Sequence, residues 1–402
     1  MEEEKTPTLK LVAFILFVDM LGIGLIMPVM PRLIGELSGA GLARSAETGG
    51  WLLFVYAAMQ FLCAPVVGGL SDQFGRRPVL LATLFLLGID YAVMALAPSL
   101  GWLFVGRAIS GVMGASWAAA NSCVADCVAA ERRGAAFGVL GGAGAAGFVL
   151  GPALGGLAGT LDTRLPFALA SGLALIGSAA GWFWLKETLP PARRRRFEIA
   201  RANPLGALVQ MVRVPFVAAI IAAIFLIQLS AQAQFSIWAY WGEQTFGWGP
   251  LTSGLTVTFY GILGGLFQAG LSGKAIARFG AARAACFGVV FGLPSYALLA
   301  CAGSTQTVLL AIVIGTVTGI SFPAMQQMMT SRINENAQGE LQGAISSTIS
   351  FSSVIGPLVM TQVFSHFSDG RGVYLPGAPY LLSLALMTLG CVLLWRTVRY
   401  EF

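Results

Sequence analysis

Charged residues are scarce in this chain. Only 10% of its 402 residues are Asp, Glu, Lys or Arg, whereas a soluble globular protein carries about a quarter. Hydrophobic residues make up 56%, and the mean hydropathy is +0.78. This composition excludes a soluble enzyme, a disordered chain and a nucleic-acid-binding module. An outer-membrane barrel is also excluded, because its lumen-facing strand positions would be polar. A polytopic helical membrane protein remains.

Other absences narrow the function. The chain has a single histidine, His366, and one histidine cannot build a His-rich metal site. The six cysteines lie in or beside apolar runs and are interpreted as packing residues. No phosphate-binding loop of the P-loop type occurs, so ATP hydrolysis is not the expected energy source. No nucleophile–base pattern is present either, so we expect neither an enzyme nor a cofactor or metal.

Long apolar runs dominate what is there. The first, Leu11–Leu33, is too long for the core of a signal peptide and is interpreted as a membrane span. Twelve windows reach or approach the roughly 20 apolar residues that a spanning helix needs. They are Leu11–Leu33, Trp51–Leu70, Val79–Ala97, Trp102–Cys123, Ala135–Leu157, Phe167–Leu185, Val214–Tyr240, Leu251–Ile276, Ala284–Ala302, Thr307–Met329, Leu341–Phe364 and Tyr380–Leu394. The sequence therefore predicts an all-α membrane protein with twelve transmembrane helices in two pseudo-symmetric six-helix halves.

One long polar segment separates the sixth window from the seventh. It contains Pro190, Pro191 and the basic run Arg193–Arg196. We therefore predict an N-terminal six-helix half at residues 1–188, a basic cytoplasmic linker at 189–213 and a C-terminal six-helix half at 214–402.

The distribution of basic residues predicts the orientation. If both termini and the linker share one side of the membrane, that side carries 19 of the 24 basic residues and the other side four. The remaining one, Arg107, lies within a span. By the positive-inside rule both termini are then cytoplasmic. The short loops favour a bacterial inner (plasma) membrane.

The two halves repeat each other at an offset of 205 residues. Phe74-Gly75 recurs as Phe279-Gly280, and Gly151-Pro152 recurs as Gly356-Pro357. Two parallel six-span repeats joined by a linker are typical of secondary transporters. Such a transporter binds its substrate near the midplane and alternates access by rocking one half against the other.

The loop after the second span, GGLSDQFGRRP, combines two glycines, an acid and two arginines: Gly68, Asp72, Gly75, Arg76 and Arg77. It resembles the signature loop of the major facilitator superfamily and implies that family's fold. Asp72 can pair with a basic residue or helix end of the other half, which would form a conformational latch. The alternative is that the arginines only set topology. The second copy has Ala277 in place of the acid, so its latch is degenerate.

The fifth span, GFVLGPALGG, combines small residues with a proline: Gly147, Gly151, Pro152, Gly155 and Gly156. This pattern resembles the antiporter motif of drug-efflux members. Proline removes a helix hydrogen bond and glycine lets helices approach closely. We therefore expect a kinked, tightly packed helix.

The chain most closely resembles the tetracycline-efflux branch of the drug:proton antiporters. The resemblance rests on DMLGIGLIMPVMP, YAAMQFLCAP, SDQFGRRPVLL, LGIDYAVMALA, GRAISGVMGA and GELQGAISS. It implies proton and drug handling at five positions: Asp19, Gln60, Asp90, Arg107 and Gln268. Two departures concern the substrate. The branch carries a histidine where this chain has Gly264, and it carries an aspartate in span 9, which here has no acid.

Three charged residues lie well inside spans: Asp19, Asp90 and Arg107. A charge at that depth costs about 2.5–3.5 kcal/mol on insertion scales, so a functional role is the default hypothesis. Similar depth on sequential helices permits an Asp90–Arg107 pair. Asp19 has no evident partner and is the first candidate for the proton carrier. The alternative is that these groups are buried, hydrogen-bonded and only structural.

The second half offers neutral amides at comparable depth. Gln228 and Gln232 share one helical face, and Gln326 lies in the tenth span. With Gln60 and Gln268 they are the candidate substrate-binding residues, because amides suit an amphipathic, partly aromatic ligand. Ordinary interhelical hydrogen bonding is the alternative.

Three functions are compatible with these features. The first is proton-coupled efflux of an amphipathic, drug-like small molecule that resembles tetracycline, which would give tetracycline resistance. The second is a proton symporter or facilitator that imports a small organic solute. The third is a transporter-like receptor or scaffold. The expected partners are the substrate, protons and the lipid bilayer, with no nucleic acid, and the expected oligomeric state is a monomer.

Overall fold

The computed structural model describes residues 6–114, 116–129, 132–196, 211–334, 337–370 and 372–399. Within these ranges the regular secondary structure is helical and no strand occurs. The helices before the linker are α1 (Thr6–Ile26), α2 (Met30–Ser38), α3 (Leu42–Phe74), α4 (Arg76–Ala95), α5 (Leu100–Met113), α6 (Ser116–Cys127), α7 (Arg133–Leu161) and α8 (Leu165–Trp184).

The helices after the linker are α9 (Pro215–Ser236), α10 (Trp238–Phe246), α11 (Pro250–Phe267), α12 (Gly273–Phe279), α13 (Ala281–Ala300), α14 (Thr305–Gly315), α15 (Ser321–Thr330), α16 (Gln338–Ser368) and α17 (Ala378–Val398). Two short segments connect helices within one span. A π-helix at Gln268–Ser272 joins α11 to α12, and a 3₁₀ segment at Thr316–Ile320 joins α14 to α15.

Eleven helical segments in the described ranges are long and apolar enough to cross a membrane. The fourth predicted span makes up the twelfth, since it consists of two shorter helices, α5 and α6. The predicted twelve-span fold is therefore confirmed. The first window, Leu11–Leu33, is divided between α1 and α2. Pro28 has no amide hydrogen to donate, and Pro31 lies in the first turn of α2, where a proline is tolerated.

The contacts among described residues divide the chain into two units. Unit 1 takes those within Met1–Ala40, Val55–Asn203 and Gly249–Thr258, and unit 2 takes those within Gly41–Phe54, Pro204–Trp248 and Phe259–Phe402. The predicted domain boundaries at 188 and 213 stay a prediction, and residues 197–210 of the linker lie outside the described ranges.

Unit 1 is held together by close contact between α1 and α7. A Cβ built on Gly151 would lie 2.7 Å from the Cα of Gly24, and one on Gly155 would overlap the backbone of Leu25. Helices in a membrane gain stability from van der Waals contact, and small residues permit that contact. α8 also packs on α1, while α4 packs on α8 and α5.

Unit 2 repeats this packing. α9 packs on α16 and α17, and α13 packs on α17 and α14. Pro152 within α7 has its counterpart in Pro357 within α16. Gly75 and Gly280, which precede α4 and α13, both have positive φ angles, of 108° and 80°. Both turns therefore need a residue without a Cβ, and the internal repeat is a repeat of structure.

Gly155→Ala tests the contact between α1 and α7. The added methyl group falls on the backbone of Leu25, which cannot yield as a flexible side chain would. We expect a destabilisation of about 1–3 kcal/mol. The measurement is the temperature at which half of the detergent-purified protein is lost from the monodisperse peak in size-exclusion chromatography.

Gly142→Ala is the matched control, because Gly142 is an exposed glycine of the same helix with open space at its Cβ. It should be neutral or stabilise by up to about 1 kcal/mol, since alanine has the higher helix propensity. Equal midpoints for the two variants would contradict the packing argument.

Candidate functional site

Unit 1 buries the three charged residues that the sequence places within spans. Asp19 on α1 is 3% exposed, Asp90 on α4 is 1% exposed, and Arg107 on α5 is 5% exposed. Buried charges require partners or must be neutralised. The contacts of each group therefore indicate its chemistry.

Asp19 has a hydrogen-bond partner that the sequence did not suggest. The hydroxyl of Ser116 donates to Asp19 Oδ2 at 2.5 Å. Ser116 is the first residue of α6, just beyond the interruption of the fourth span. The expectation that Asp19 lacks a partner is therefore wrong, because a donor 97 positions away reaches it.

Asp90 and Arg107 do not form the ion pair that their similar depth permitted, as judged over the described residues. Asp90 Oδ2 accepts a hydrogen bond from Ser110, and Oδ1 has no hydrogen-bond partner in the same ranges. The Arg107 guanidinium lies 5.9 Å from the ring centroid of Tyr56, and its Nη2 lies 3.8 Å from the sulfur of Met30. A buried carboxylate without a paired cation is suited to binding a proton.

Gln60 extends this group of polar side chains. Its Nε2 donates to the carbonyl of Gly114 at 2.9 Å and lies 3.5 Å from the hydroxyl of Tyr56. We call the set the acid cluster; its members are Asp19, Tyr56, Gln60, Asp90, Arg107, Ser110 and Ser116. It combines two carboxylates, hydroxyls and an aromatic ring inside apolar helices. Such a site can bind and release protons, and it can contact an amphipathic ligand.

The other candidate glutamines lie in unit 2 in different surroundings. Gln232 is 8% exposed and donates to Ser353 at 3.3 Å. Gln326 donates to Gln342 at 2.9 Å. Gln228 is half-buried, one turn before Gln232, and Gln268 is exposed at the start of the π-helix. Gln232 also packs on Gly356, so part of its role is helix packing.

The aromatic residues after α9 form a packed group. The ring of Trp241 lies 5.8 Å from that of Trp238 and 4.8 Å from that of Tyr380, measured between centroids. Trp248 Nε1 donates to Thr305 at 3.0 Å. Aromatic rings in mutual contact of this kind fit a packing role.

The loop between α3 and α4 carries an ion-pair network. Arg76 contacts Asp72 at 2.5 Å through Nη1 and Asp126 at 3.0 Å through Nε. Arg77 donates to the carbonyl of Trp182 at 2.6 Å. The partner of Asp72 in this structure is thus Arg76, four residues on and across the turn at Gly75, and a partner in the other half stays a prediction. The built Cβ of the first glycine of the motif, Gly68, meets no described atom within 4 Å.

The glycine-proline motif of α7 makes two sets of close contacts within unit 1. Gly147, Gly151 and Gly155 face the backbone of α1. A Cβ on Gly156 would lie 3.0 Å from the Cα of Leu251 in the first turn of α11. The motif therefore places glycines of α7 against α1 and against the first turn of α11.

Sequence reasoning missed Ser110, Ser116 and Asp126, and it missed Glu187, whose Oε1 accepts the backbone N–H of Arg76 at 2.9 Å. Ser110 follows Arg107 by three residues, so helical spacing could have indicated it. Ser116 and Glu187 carried no such signal, since their partners are distant in sequence. No group of three or more His, Cys, Asp or Glu side chains that could hold a metal occurs in the described part of the chain.

These features define a class: a helical membrane protein with two six-span repeats, buried acids in the first repeat and a basic loop with an ion-pair network. The sequence model of the Major Facilitator Superfamily matches residues 12–357 and 224–401. The chain belongs to the Major Facilitator Superfamily, a family of transporters, and it is an integral membrane protein.

Several relatives are similar over most of the chain. The class C tetracycline resistance protein of Escherichia coli is 36% identical over 92% of this chain and 94% of its own. The class G protein of Vibrio anguillarum is also 36% identical, over the same shares of the two chains. The resemblance to the tetracycline-efflux branch is thereby confirmed. A solved bacterial homologue of the human lysosomal transporter Spinster shares the fold, with a TM-score of 0.77, 15% identity and coverage of 97% and 96%.

Arg76→Lys tests the ion-pair network. Lysine offers one ammonium and cannot reach Asp72 and Asp126 with two separate nitrogen atoms. Losing one hydrogen bond between charged groups should destabilise the protein by about 1.5–3 kcal/mol. The thermal midpoint of the purified protein measures this.

Arg278→Lys provides the comparison, since Arg278 is exposed in the corresponding loop of the second half, where Ala277 replaces the acid. Its midpoint should stay at the wild-type value. A midpoint for Arg76→Lys as high as that of Arg278→Lys would show that the network contributes nothing.

Proposed function

We propose that this chain exports amphipathic, drug-like small molecules in exchange for protons, by alternating access. The observation that carries the proposal is the burial of Asp19 and Asp90 without a paired cation, in a chain 36% identical to tetracycline resistance proteins. Burying a carboxylate in this way costs free energy, so a role in proton transfer or binding is the default hypothesis.

Asp19 is the first candidate for the proton carrier, and Asp90 is the second. Each carboxylate accepts from one serine hydroxyl, which can stabilise the charged form after the proton leaves. Arg107 lies among the same side chains and favours that form electrostatically. A conformational change that altered the hydration of the acids would then release the proton on one side and take it up on the other.

The substrate is bound by neutral groups. The candidates are Gln60, Gln228, Gln232, Gln268 and Gln326. Amide groups can donate and accept hydrogen bonds without demanding a charged ligand. They suit a molecule with an aromatic or apolar body and a few polar edges, which is the expected class of drug-like substrate.

Tetracycline is the first compound to test, because the relatives named above are tetracycline resistance proteins. The chain departs from that branch at Gly264, where the branch has a histidine. It also has no acid in α13. The substrate class is therefore proposed as amphipathic drugs, with tetracycline as one member.

The remaining parts of the proposal concern placement. We place both termini and the linker in the cytoplasm, because that side then holds 19 of the 24 basic residues. The bacterial inner membrane is the proposed location, and the monomer is the proposed working state. Asp72 forms the conformational latch by pairing with a basic residue or helix end of the other half, and Arg76, which contacts both Asp72 and Asp126, positions it. We propose the same domain boundaries as the sequence predicts: an N-terminal half at residues 1–188, a linker at 189–213 and a C-terminal half at 214–402.

Import of a small organic solute is the second candidate. It is motivated by the absence of an acid from α13 and by the glycine at position 264. Relatives that carry resistance functions in their names do not favour it. Measuring proton movement directly while each compound of a drug panel is added distinguishes export from import.

Asp19→Asn should abolish drug-dependent proton release, because asparagine keeps the shape and the hydrogen bond but cannot bind a proton. The measurement uses everted vesicles with a pH-sensitive dye and a panel of chemically distinct drugs. We expect proton release to fall at least about tenfold, as for loss of an essential proton-transfer group. Asp162→Asn is the control, since Asp162 is exposed and its side chain accepts the backbone N–H of Arg164 in the same loop.

Normal membrane expression with no proton release for any drug in the wild type would contradict the export proposal. Wild-type proton release that persists in Asp19→Asn would instead contradict the assignment of the carrier and point to Asp90.

Gly264→His tests the tetracycline branch of the proposal. A Cβ at Gly264 meets no described atom within 4 Å, so a side chain can leave the helix at this position. We expect the tetracycline concentration tolerated by the host to rise about twofold or more, about 0.4 kcal/mol of added interaction. Gly265→His is the matched control, because the next glycine is equally open but points in another direction around the helix. An equal effect of both variants would contradict a site-specific role.

A further inference from the structure

Glu187 lies three residues beyond the end of α8, at the point where the linker begins. Its carboxylate reaches back to the loop between α3 and α4. Glu187 Oε1 accepts the backbone N–H of Arg76, the first residue of α4, at 2.9 Å. The same oxygen accepts the N–H groups of Thr188 and Leu189, each at 2.9 Å. One oxygen thus joins the start of α4 to the turn that leaves α8.

The turn at Gly75 is shaped around this carboxylate. Gly75 has φ of 108°, which disfavours any residue with a side chain. A Cβ built there would lie 2.8 Å from the Glu187 carboxyl carbon and 3.2 Å from Arg194 Nη2. Gly75 is therefore required twice, by its backbone conformation and by the close approach of Glu187.

The beginning of the linker lies on the same loop. The N–H of Arg195 donates to the carbonyl of Asp72 at 3.1 Å. Arg194 Nη2 lies 4.0 Å from Glu187 Oε2. The two residues that follow the short turn Pro191–Arg193 therefore contact the carboxylate of Glu187 and the backbone of Asp72. Part of the arginine run has a structural position beyond its effect on topology.

The start of α4 needs such a partner. The first N–H groups of a helix have no acceptor within the helix, and a negative charge there is favourable. Gly75, the N-cap residue, has no side chain to supply one. The corresponding N-cap of α13, Gly280, likewise has no side-chain hydrogen bond, and its built Cβ meets no described atom within 4 Å. In the described residues, the carboxylate cap thus belongs to the half that keeps the acid of the loop.

We propose that Glu187 is a positioning residue for the latch. By capping α4 and fastening the linker to the loop, it holds Arg76 where that residue contacts both Asp72 and Asp126. The effect on transport rests on the proposed function, whereas the effect on the local structure does not.

A native cysteine reports on this structure. The hydroxyl of Thr188 donates to the sulfur of Cys123 at 3.5 Å, and Cys123 is only 2% exposed. Leu189 beside it is also buried. If Glu187 fastens this turn, releasing it should uncover the Cys123 thiol. The rate of maleimide labelling then measures the position of the turn without any requirement for transport.

The experiment uses the full-length protein in everted membrane vesicles, with the other five of the six cysteines changed to serine. Glu187→Ala should increase the rate of Cys123 labelling about fivefold or more, because local opening governs access to a buried group. Glu187→Gln should stay within about twofold of the parent, since its amide oxygen can still accept the three N–H groups. Glu47→Ala, at an exposed glutamate, should leave the rate unchanged.

Labelling of Glu187→Ala at the parent rate would overturn the proposal. If that variant does not accumulate in the membrane, Glu187→Asp replaces it. Aspartate is shorter by one methylene group and cannot keep the contact to Arg76 and those to the turn at once. It should label faster than the parent, and an unchanged rate would again overturn the proposal.

Transport provides the second arm. The maximal rate of drug-dependent proton release should fall in Glu187→Ala and recover in Glu187→Gln, while KM for the drug stays within about twofold, since uniform binding is unchanged. If Glu187→Ala labels faster but the parent shows no proton release, the result would support the role of Glu187 in fastening the turn and count against the exporter proposal. A raised KM at an unchanged maximal rate would overturn the latch role of Glu187.

Discussion

The cost of charge in a membrane governs the organisation of unit 1. An acid in the hydrocarbon region costs about 2.5–3.5 kcal/mol on insertion scales, yet α1 and α4 each bury one. Each acid is compensated by a hydroxyl from a neighbouring helix rather than by a cation. A hydroxyl can serve a carboxylate or a carboxylic acid, so the site tolerates both protonation states. An ion pair would have favoured the charged form alone.

The internal repeat shows which properties belong to the scaffold and which to the function. Both units pack their first and fifth spans through glycine and proline, and both turn their central loop at a glycine with positive φ. The acids, the Asp72–Arg76–Asp126 network and the Glu187 cap belong to the first half. At the positions equivalent to Asp19, Asp90 and Arg107, the second half has Ile224, Ser295 and Ile312. One architecture thus carries two different sets of side chains.

Much of the fold could be predicted because it depends on local pattern. Apolar length indicated the spans, and the offset of 205 residues indicated the repeat. The site was less predictable, since its contacts join residues distant in the chain. Ser116 donates to Asp19 from 97 positions along the chain, and no local pattern shows such a contact. Depth along a helix made an Asp90–Arg107 pair possible, but the Arg107 guanidinium lies 5.9 Å from the ring centroid of Tyr56.

The π-helix at Gln268–Ser272 acts on the eighth span as a one-residue insertion. In an α-helix each residue turns the chain by about 100°. The extra residue therefore shifts the angular register between the side chains before Gln268 and those after Ser272. A single deletion within this segment would restore continuous α-helix and rotate one end of the span against the other. The set of side chains on each face of the span beyond Ser272 therefore depends on the chain length at this point as well as on the residue types.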